Sequence, residues 1–300
     1  MAVYKKTYRP YDGELTSSVS RFLVIPRYAF EEMQKSRFLT IFFLASLVYP
    51  LVCALIIYVQ HNVSALNLLG LQNANRLISI NVTFFMSLLG WQSMMALFLA
   101  SFTGPGQVSP DLANNALSLY LARPFSRVEY VLGKMTILMV LMSLMTWVPG
   151  LLLFGLQGYL EGWQWMKGNA RIASGIFFGA WVWILLLALL ALALSAWVKW
   201  KPAAGALMFG VFFVAGGFGA TINAVLRTKW GHLFNISELI GSIWVQLFEG
   251  QTHTTNGAVF FRVIEGEEIA LWCCWASLAV LALVCLYMLA RKIRGAEVVR

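Results

Sequence analysis

The side chains that usually carry catalysis or bind metals are scattered through this sequence. His61, His232 and His253 each stand alone between apolar stretches. The sequence has no His-Glu-x-x-His helix and no Gly-x-Ser-x-Gly elbow. It also has no phosphate-binding loop, because Gly133-Lys134-Met135 lacks the loop glycine and the hydroxyl. We therefore expect no catalytic residue, no metal site, no cofactor and no enzymatic activity in this chain.

Two serines could act as nucleophiles within the apolar part of the chain. Ser93 and Ser143 lie in long apolar runs, but those runs contain no histidine, carboxylate or lysine that would activate a hydroxyl. An intramembrane serine enzyme is therefore the least favoured interpretation. The four cysteines lie in similar runs and are predicted to be small packing residues. They are Cys53, Cys273, Cys274 and Cys285.

The elements that carry these residues are predicted to be transmembrane helices. The 300 residues are 60% hydrophobic and only 12% charged, about half the charge of a soluble domain. Six runs contain no charged residue, and each exceeds the roughly 20 residues that a helix needs to span a bilayer. We therefore predict an all-α integral membrane protein with six transmembrane helices. The runs are Phe38–Val59, Ile78–Phe102, Met135–Leu156, Ile172–Val198, Pro202–Leu226 and Ile269–Ala290.

The distribution of basic residues predicts the orientation in the membrane. With six spans, both termini and the loops after the second and fourth spans share one side, which holds most of the 22 basic residues. Cytoplasmic loops retain such an excess, so both termini are predicted to be cytoplasmic and the protein to lie in the plasma (inner) membrane. Orientation also explains the net charge of +9, which therefore does not require a nucleic-acid partner.

The chain is predicted to have three parts. Residues 1–37 form a cytoplasmic segment, residues 38–290 a six-span transmembrane domain, and residues 291–300 a cytoplasmic tail. The first segment is too polar to be a cleaved signal peptide. Its residues 27–37 predict an amphipathic helix on the inner membrane surface, with Phe30 and Met33 on the apolar face. A solvated lead-in is the alternative.

The loop after the second span predicts a second cytoplasmic helix. Ser109 is suited to its N-cap, Pro110 to its first position and Asp111 to the positive end of its dipole. Pro124 stops it, because the residue before a proline resists helical geometry. The result is a helix of about 13 residues, Pro110–Ala122.

This helix carries little charge for a segment in water. Leu112, Ala116 and Leu119 share one stripe. Either a partner protein or the chain's own spans must cover that face. From composition alone the two alternatives are equal.

Prolines and small residues mark special positions within the spans. Pro50 and Pro149 should kink the first and third spans. Gly175 and Gly179 have the small-xxx-small spacing of packed membrane helices. The fifth span is richer still in glycine, which favours close packing and could also permit bending along a pathway. Its glycines are Gly205, Gly210, Gly216, Gly217 and Gly219.

The outer loop 227–268 contains a third predicted helix outside the spans. Within Ile236–Phe248, apolar residues recur at helical spacing. This segment could be an amphipathic or re-entrant helix of the outer leaflet. A helix packed on the protein surface is an equally good interpretation.

The absence of charge inside the spans bears on function. Proton- or sodium-coupled carriers usually place ionisable residues at membrane depth, and these six runs have none. If the protein transports, its energy must come from elsewhere. A cytoplasmic motor that docks on the inner loops is the simplest source.

The loop after the second span carries a spaced set of small, apolar and charged residues. They are Gly104, Ser109, Leu117, Leu119, Leu121, Ala122, Arg123-Pro124, Ser126-Arg127, Glu129 and Gly133-Lys134. This set resembles the signature of type-2 ATP-binding-cassette (ABC) exporter permeases and departs from it at Asp111 and at Asn114-Asn115-Ala116. The six-span layout and the basic amphipathic N-terminal helix are similar to the same family.

The resemblance implies a dimer of six-span permeases, formed with a second copy or a paralogue, above two ATPase subunits that hydrolyse ATP. It implies that Phe30, Met33 and the Pro110–Ala122 helix receive the motor's movement. Arg123, Arg127, Glu129 and Lys134 would shape or anchor this coupling segment. The pathway would follow the dimer interface. A non-transporting membrane scaffold with a permease-like fold is the alternative.

Overall fold

The computed structural model describes residues 35–62, 79–114, 127–248 and 269–293. In these ranges the chain is helical and has no strand, and six helical segments are long and apolar enough to cross a bilayer. The protein is therefore an all-α, multi-pass membrane protein, and this prediction is confirmed. The spans are Arg37–Gln60, Val82–Thr103, Arg127–Glu161, Ala170–Trp197, Lys201–Leu226 and Leu271–Lys292.

The first span is broken near its proline. It consists of helices Arg37–Ser46 and Val48–Gln60, which meet at Leu47. Pro50 has no N–H to donate to the carbonyl of Ser46, four residues earlier. The side chain of Gln92 in the second span donates to that carbonyl instead, at 3.1 Å. The predicted interruption is thus stabilised by a hydrogen bond from a neighbouring span.

The third span is broken in the same way. It consists of helices Arg127–Met145 and Trp147–Glu161, which meet at Thr146 and so place Pro149 in the first turn of the second helix. The hydroxyl of Thr146 donates to the carbonyl of Met142 at 2.8 Å. A serine or threonine bonded back to its own helix commonly accompanies such bends.

The third span begins earlier than the sequence predicted. Its helix starts at Arg127 rather than at Met135, so Glu129 and Lys134 lie on the helix and not in a loop. A helix need not end where the hydrocarbon ends, and Glu129 in its first turn favours the helix dipole. The other span boundaries differ from the predicted ones by a few residues.

The fourth span forms the centre of the bundle. In its most apolar stretch 67% of the residues are buried, against 22% in the first and fifth spans. It packs against the second, third, fifth and sixth spans. Trp183 at its middle is fully buried, and its indole N–H donates to the carbonyl of Ser93 in the second span at 2.9 Å. The first and fifth spans, together with the sixth at 28%, are therefore the least buried and face outward from the bundle.

The segment after the fifth span folds back into the bundle. A short 3₁₀ helix, Trp230–Phe234, leads into helix Ile236–Phe248. Asn235 lies beside Gly216, and ten residues of helix from Gly216 to Leu226 correspond to about 15 Å. Helix Ile236–Phe248 then runs back along the fourth span. We call it the re-entrant helix.

The re-entrant helix is part of the core. Ile240, Ile243 and Trp244 on it are at most 1% exposed. It packs against the second, fourth, fifth and sixth spans. Of the two interpretations left open by the sequence, re-entry is therefore correct and a surface location is not. A short helix, Trp163–Gly168, connects the third and fourth spans.

Candidate functional site

The loop after the second span is anchored at one end of the bundle. This end carries Lys134, Lys199 and Lys292, and we call it the basic end. The second span passes into a 3₁₀ turn, Gly104–Gly106, and then into the short helix Ser109–Ala113, which we call the loop helix.

Two glycines allow three spans to meet at this turn. A Cβ at Gly104 would lie 2.5 Å from the Cβ of Ala191 in the fourth span. A Cβ at Gly205 in the fifth span would lie 2.7 Å from the carbonyl oxygen of Ser101. Both separations are too short for a side chain, so glycine is required. Gly205 is thus a packing residue, as predicted.

Ser195 of the fourth span holds the turn in place. Its Oγ accepts hydrogen bonds from the backbone N–H groups of Val108 at 3.0 Å and Ser109 at 3.1 Å. The same hydroxyl donates to the carbonyl of Pro105 at 2.9 Å. Ser195 is 1% exposed, so these three backbone groups have no competing water. One side chain therefore satisfies the turn and the start of the loop helix.

The predicted N-cap role of Ser109 is wrong. Val108 occupies the N-cap position, Ser109 is the first helical residue, and Pro110 is the second rather than the first. The Ser109 hydroxyl donates instead to the carbonyl of Lys199 at 2.9 Å. The capping acceptor comes from Ser195 on another helix, which leaves the Ser109 hydroxyl available to bind the end of the fourth span.

Asp111 connects the loop helix to the third span. Its Oδ2 accepts from the hydroxyl of Tyr130 at 2.7 Å and lies 2.9 Å from Nζ of Lys134. The side chains of Lys134 and Asp111 are only 12% and 16% exposed. Charge-assisted hydrogen bonds in such surroundings are stronger than neutral ones. Asp111 lies in the first helical turn as predicted, and its main partners are on the third span.

The loop helix ends at Ala113, where the backbone N–H of Asn114 closes it on the carbonyl of Pro110. Residues 115–122 of the predicted helix Pro110–Ala122 lie outside the described residues. Leu112 packs against the core of the bundle. This part of the predicted stripe is therefore covered by the chain's own spans. Ala116, Leu119 and Arg123 lie outside the described residues, as do Phe30, Met33 and the rest of the predicted N-terminal helix before residue 35.

The remaining predicted coupling residues lie at the start of the third span. Arg127 is its first residue and is exposed, whereas Glu129 is half-buried one turn before Gly133. Neither residue belongs to the Ser195 or Asp111 contacts described above. The structure thus brings together Ser109, Pro110, Asp111 and Leu112, and places Arg127 and Glu129 on the adjoining helix.

Gly175 and Gly179 pack against the re-entrant helix. A Cβ at Gly175 would lie 2.9 Å from the ring of Phe248, and one at Gly179 would lie 3.1 Å from the ring of Trp244. The indole N–H of Trp244 donates to the carbonyl of Gly179 at 2.9 Å. The predicted close packing is confirmed. Its main partner is the re-entrant helix, and Leu89 of the second span also lies 3.3 Å from an added Cβ at Gly179.

The glycines of the fifth span divide into two groups. Gly216 lies 3.5 Å, measured from an added Cβ, from the side chain of Asn235. In contrast, a Cβ at Gly210 or Gly217 would meet no described atom within 4 Å. Small side chains on a lipid-facing helix allow another helix to approach closely. This outward face is therefore suited to contact with a second membrane helix.

Two of the three histidines are not isolated. His61 Nε2 lies 3.1 Å from a carboxylate oxygen of Glu161 and joins the ends of the first and third spans. His232 Nδ1 lies 2.6 Å from Glu238 Oε2 within the re-entrant segment. The six charge-free runs contain no histidine or carboxylate, whereas the segment that leads into the re-entrant helix places one such pair beside the fifth span. His253 lies outside the described residues.

Little in the sequence indicates that Ser195, Tyr130 and Lys199 are partners of the loop. Ser195 is the one hydroxyl residue between Gly175 and Val198, and this isolated polar position is the feature of the sequence that could have indicated its role.

Among the described residues, no group of three or more His, Cys, Asp or Glu side chains is placed to hold a metal ion. The contacts of the loop helix with Ser195 and through Asp111 can transmit a displacement of the loop to the third and fourth spans. No protein-family model and no curated protein matches this chain.

Proposed function

We propose that this chain is the membrane-spanning permease subunit of an ATP-driven exporter of the ABC type-2 kind. It would pair with a second copy or a paralogue and bind separate ATPase subunits at the basic end. Both termini would be cytoplasmic, in the plasma (inner) membrane. The observation that carries the proposal is the anchoring of the loop helix to the third and fourth spans through Asp111 and Ser195.

The anchored loop has the properties that a coupling element needs. A motor can drive a bundle only through a segment that moves together with the spans, because packed helices respond as rigid elements. Ser109 is bonded to the end of the fourth span, which is the most buried one. A force on the loop would therefore reach the centre of the bundle directly.

The proposed pairing uses the outward face of the fifth span. Gly210 and Gly217 are seven residues apart, on the same side of the helix, and Phe213 between them is 64% exposed. A second permease copy would bury this face and enclose a pathway at the interface.

Single-cysteine variants in a cysteine-free background test the contact between the two fifth spans. Gly217→Cys should form a disulfide-linked dimer in membranes, and Leu152→Cys, on the exposed face of the third span, should not.

The motor is tested by co-purification from native membranes. The tagged chain should recover an ATP-hydrolysing subunit, and Leu119→Asp should release that subunit while membrane insertion stays intact. Leu119→Met, which keeps the apolar surface, is the control. Recovery of no ATPase with the unaltered chain contradicts the proposal.

A scaffold with a permease-like fold is distinguished by its response to ATP. In a transporter, hydrolysis should change the yield of the Gly217→Cys disulfide relative to a non-hydrolysable ATP analogue. In a scaffold the yield should be the same with both nucleotides.

A further inference from the structure

A groove opens between the third, fourth and sixth spans at the basic end. Its volume is about 360 Å³, within the range of about 300–1,000 Å³ typical of small-molecule sites. Apolar side chains line its described walls, among them Leu132 and Leu286, and Leu189 lies on the fourth span between them. Arg127 is the only charged residue among these lining residues.

The length of the groove matches part of one membrane leaflet. Its deepest residues on the three helices are Met135, Leu189 and Leu286. They lie eight, eight and six residues, respectively, from the basic ends of their helices, which is about 9–12 Å at 1.5 Å per residue. Half of a hydrocarbon core about 30 Å thick is about 15 Å. The groove therefore extends about 9–12 Å inward from the ends of the three helices, a depth that fits within a single leaflet.

The charge at the mouth selects the kind of occupant. Arg127 is exposed at the start of the third span, and Ile293 at the end of the sixth span lines the same opening. Arg291 and Lys292 immediately precede Ile293. A guanidinium donates to phosphate oxygens in a bidentate manner, and basic residues at a membrane surface attract anionic headgroups.

We propose that this groove binds one acyl chain of an anionic phospholipid, with the lipid phosphate held by Arg127. The apolar walls replace the lipid neighbours of the acyl chain, and the arginine supplies headgroup selectivity. The proposal rests on the six helices being membrane spans. It does not depend on the exporter function proposed above.

Native mass spectrometry of the full-length purified chain tests the charge at the mouth. The chain is titrated with phosphatidylglycerol or phosphatidylcholine of the same acyl composition. The unaltered protein should retain phosphatidylglycerol more strongly. Arg127→Gln should weaken that binding about fivefold, and should weaken the binding of phosphatidylcholine less, because its choline neutralises the phosphate charge. Arg37→Gln, an exposed arginine at the start of the first span, should have no effect. Equal retention of both lipids, or an equal loss with Arg37→Gln, overturns the site.

A second pair of variants tests the apolar groove. Leu132 lines it and is 49% exposed, so Leu132→Trp should fill it without disturbing the core and reduce phosphatidylglycerol retention. Leu144→Trp is the matched control, because Leu144 is on the same span, is 39% exposed and lies outside the groove. Unchanged retention with Leu132→Trp, or the same loss with both variants, excludes an acyl chain in the groove.

Discussion

At the scale of single residues, the anchoring of the loop depends on unusually few side chains. Ser195 satisfies two backbone N–H groups and one carbonyl from a single buried hydroxyl. A buried group that loses its partner costs about 1–3 kcal/mol, whereas an ordinary hydrogen bond contributes about 1 kcal/mol net. The number of groups that depend on Ser195 therefore matters more than the strength of any one bond.

Ser195→Ala should destabilise the protein and loosen the loop. It leaves the N–H groups of Val108 and Ser109 without their acceptor, so we expect a loss of at least about 2 kcal/mol. Thermal unfolding of the purified protein measures the stability, and protease cleavage within residues 104–114 measures the loosening.

Ser174→Ala is the control for this prediction. Ser174 is on the same span, is partly exposed to the surroundings and donates only within its own helix, to the carbonyl of Arg171. It should change the unfolding temperature little. If Ser195→Ala unfolds at the same temperature as Ser174→Ala, the hydroxyl of Ser195 is not what holds the turn.

At the scale of helices, the sequence predicted which helices form better than it predicted which helices are in contact. Charge-free runs located all six spans, because lipid forces each crossing segment to satisfy its own backbone groups. Pro50 and Pro149 located the breaks within two of them. Nothing local could indicate that Gln92, 46 residues from Ser46 in sequence, completes the first break. That information depends on how the helices pack.

Gln92 and Pro50 should therefore be coupled energetically. In the unaltered chain Gln92→Leu removes the donor to the Ser46 carbonyl. With Pro50→Ala, residue 50 regains an N–H that can close the helix on that same carbonyl. Gln92→Leu should then be less costly by about 1 kcal/mol in the Pro50→Ala background.

The coupling is measured by a double-mutant cycle on the free energy of unfolding. The Oε1 of Gln92 has no hydrogen-bond partner among the described residues, so Gln92→Leu also removes an unfavourable buried group. This gain offsets part of the stability lost with the bond to Ser46. The cycle subtracts the gain and is therefore more informative than either single variant. Leu55→Ala, on the lipid-facing side of the first span, should show no coupling to Gln92→Leu. Additive effects of Pro50→Ala and Gln92→Leu would contradict the proposed role of the side-chain bond.

At the scale of the whole molecule, the membrane class followed from composition but the arrangement did not. Net charge and apolar runs are properties of segments, and they predicted the class and the number of spans. Helix Ile236–Phe248 was visible from its periodicity, yet its burial depends on glycines at 175 and 179 that lie more than 60 residues earlier in the chain. Likewise, the pairing of Ser195 with the loop joins the second and fourth spans. Local sequence marked Gly175 and Gly179 as packing residues, but it did not indicate which distant segment they would contact.

The re-entrant helix provides a test of the whole arrangement. Single cysteines are placed in a cysteine-free background and treated with a membrane-impermeant maleimide. Gln246→Cys, on the exposed face, should react from the same side as Asn62→Cys, and Ile240→Cys, which is fully buried, should not.

Adding Gly179→Leu should push Trp244 away and make Ile240→Cys reactive, because even a Cβ at Gly179 lies 3.1 Å from the indole. Gly155→Leu, where an added Cβ meets no described atom within 4 Å, should leave it protected. Because the re-entrant helix packs on four spans at once, a reactive Ile240→Cys in the otherwise unaltered bundle would require a different packing of the second, fourth, fifth and sixth spans.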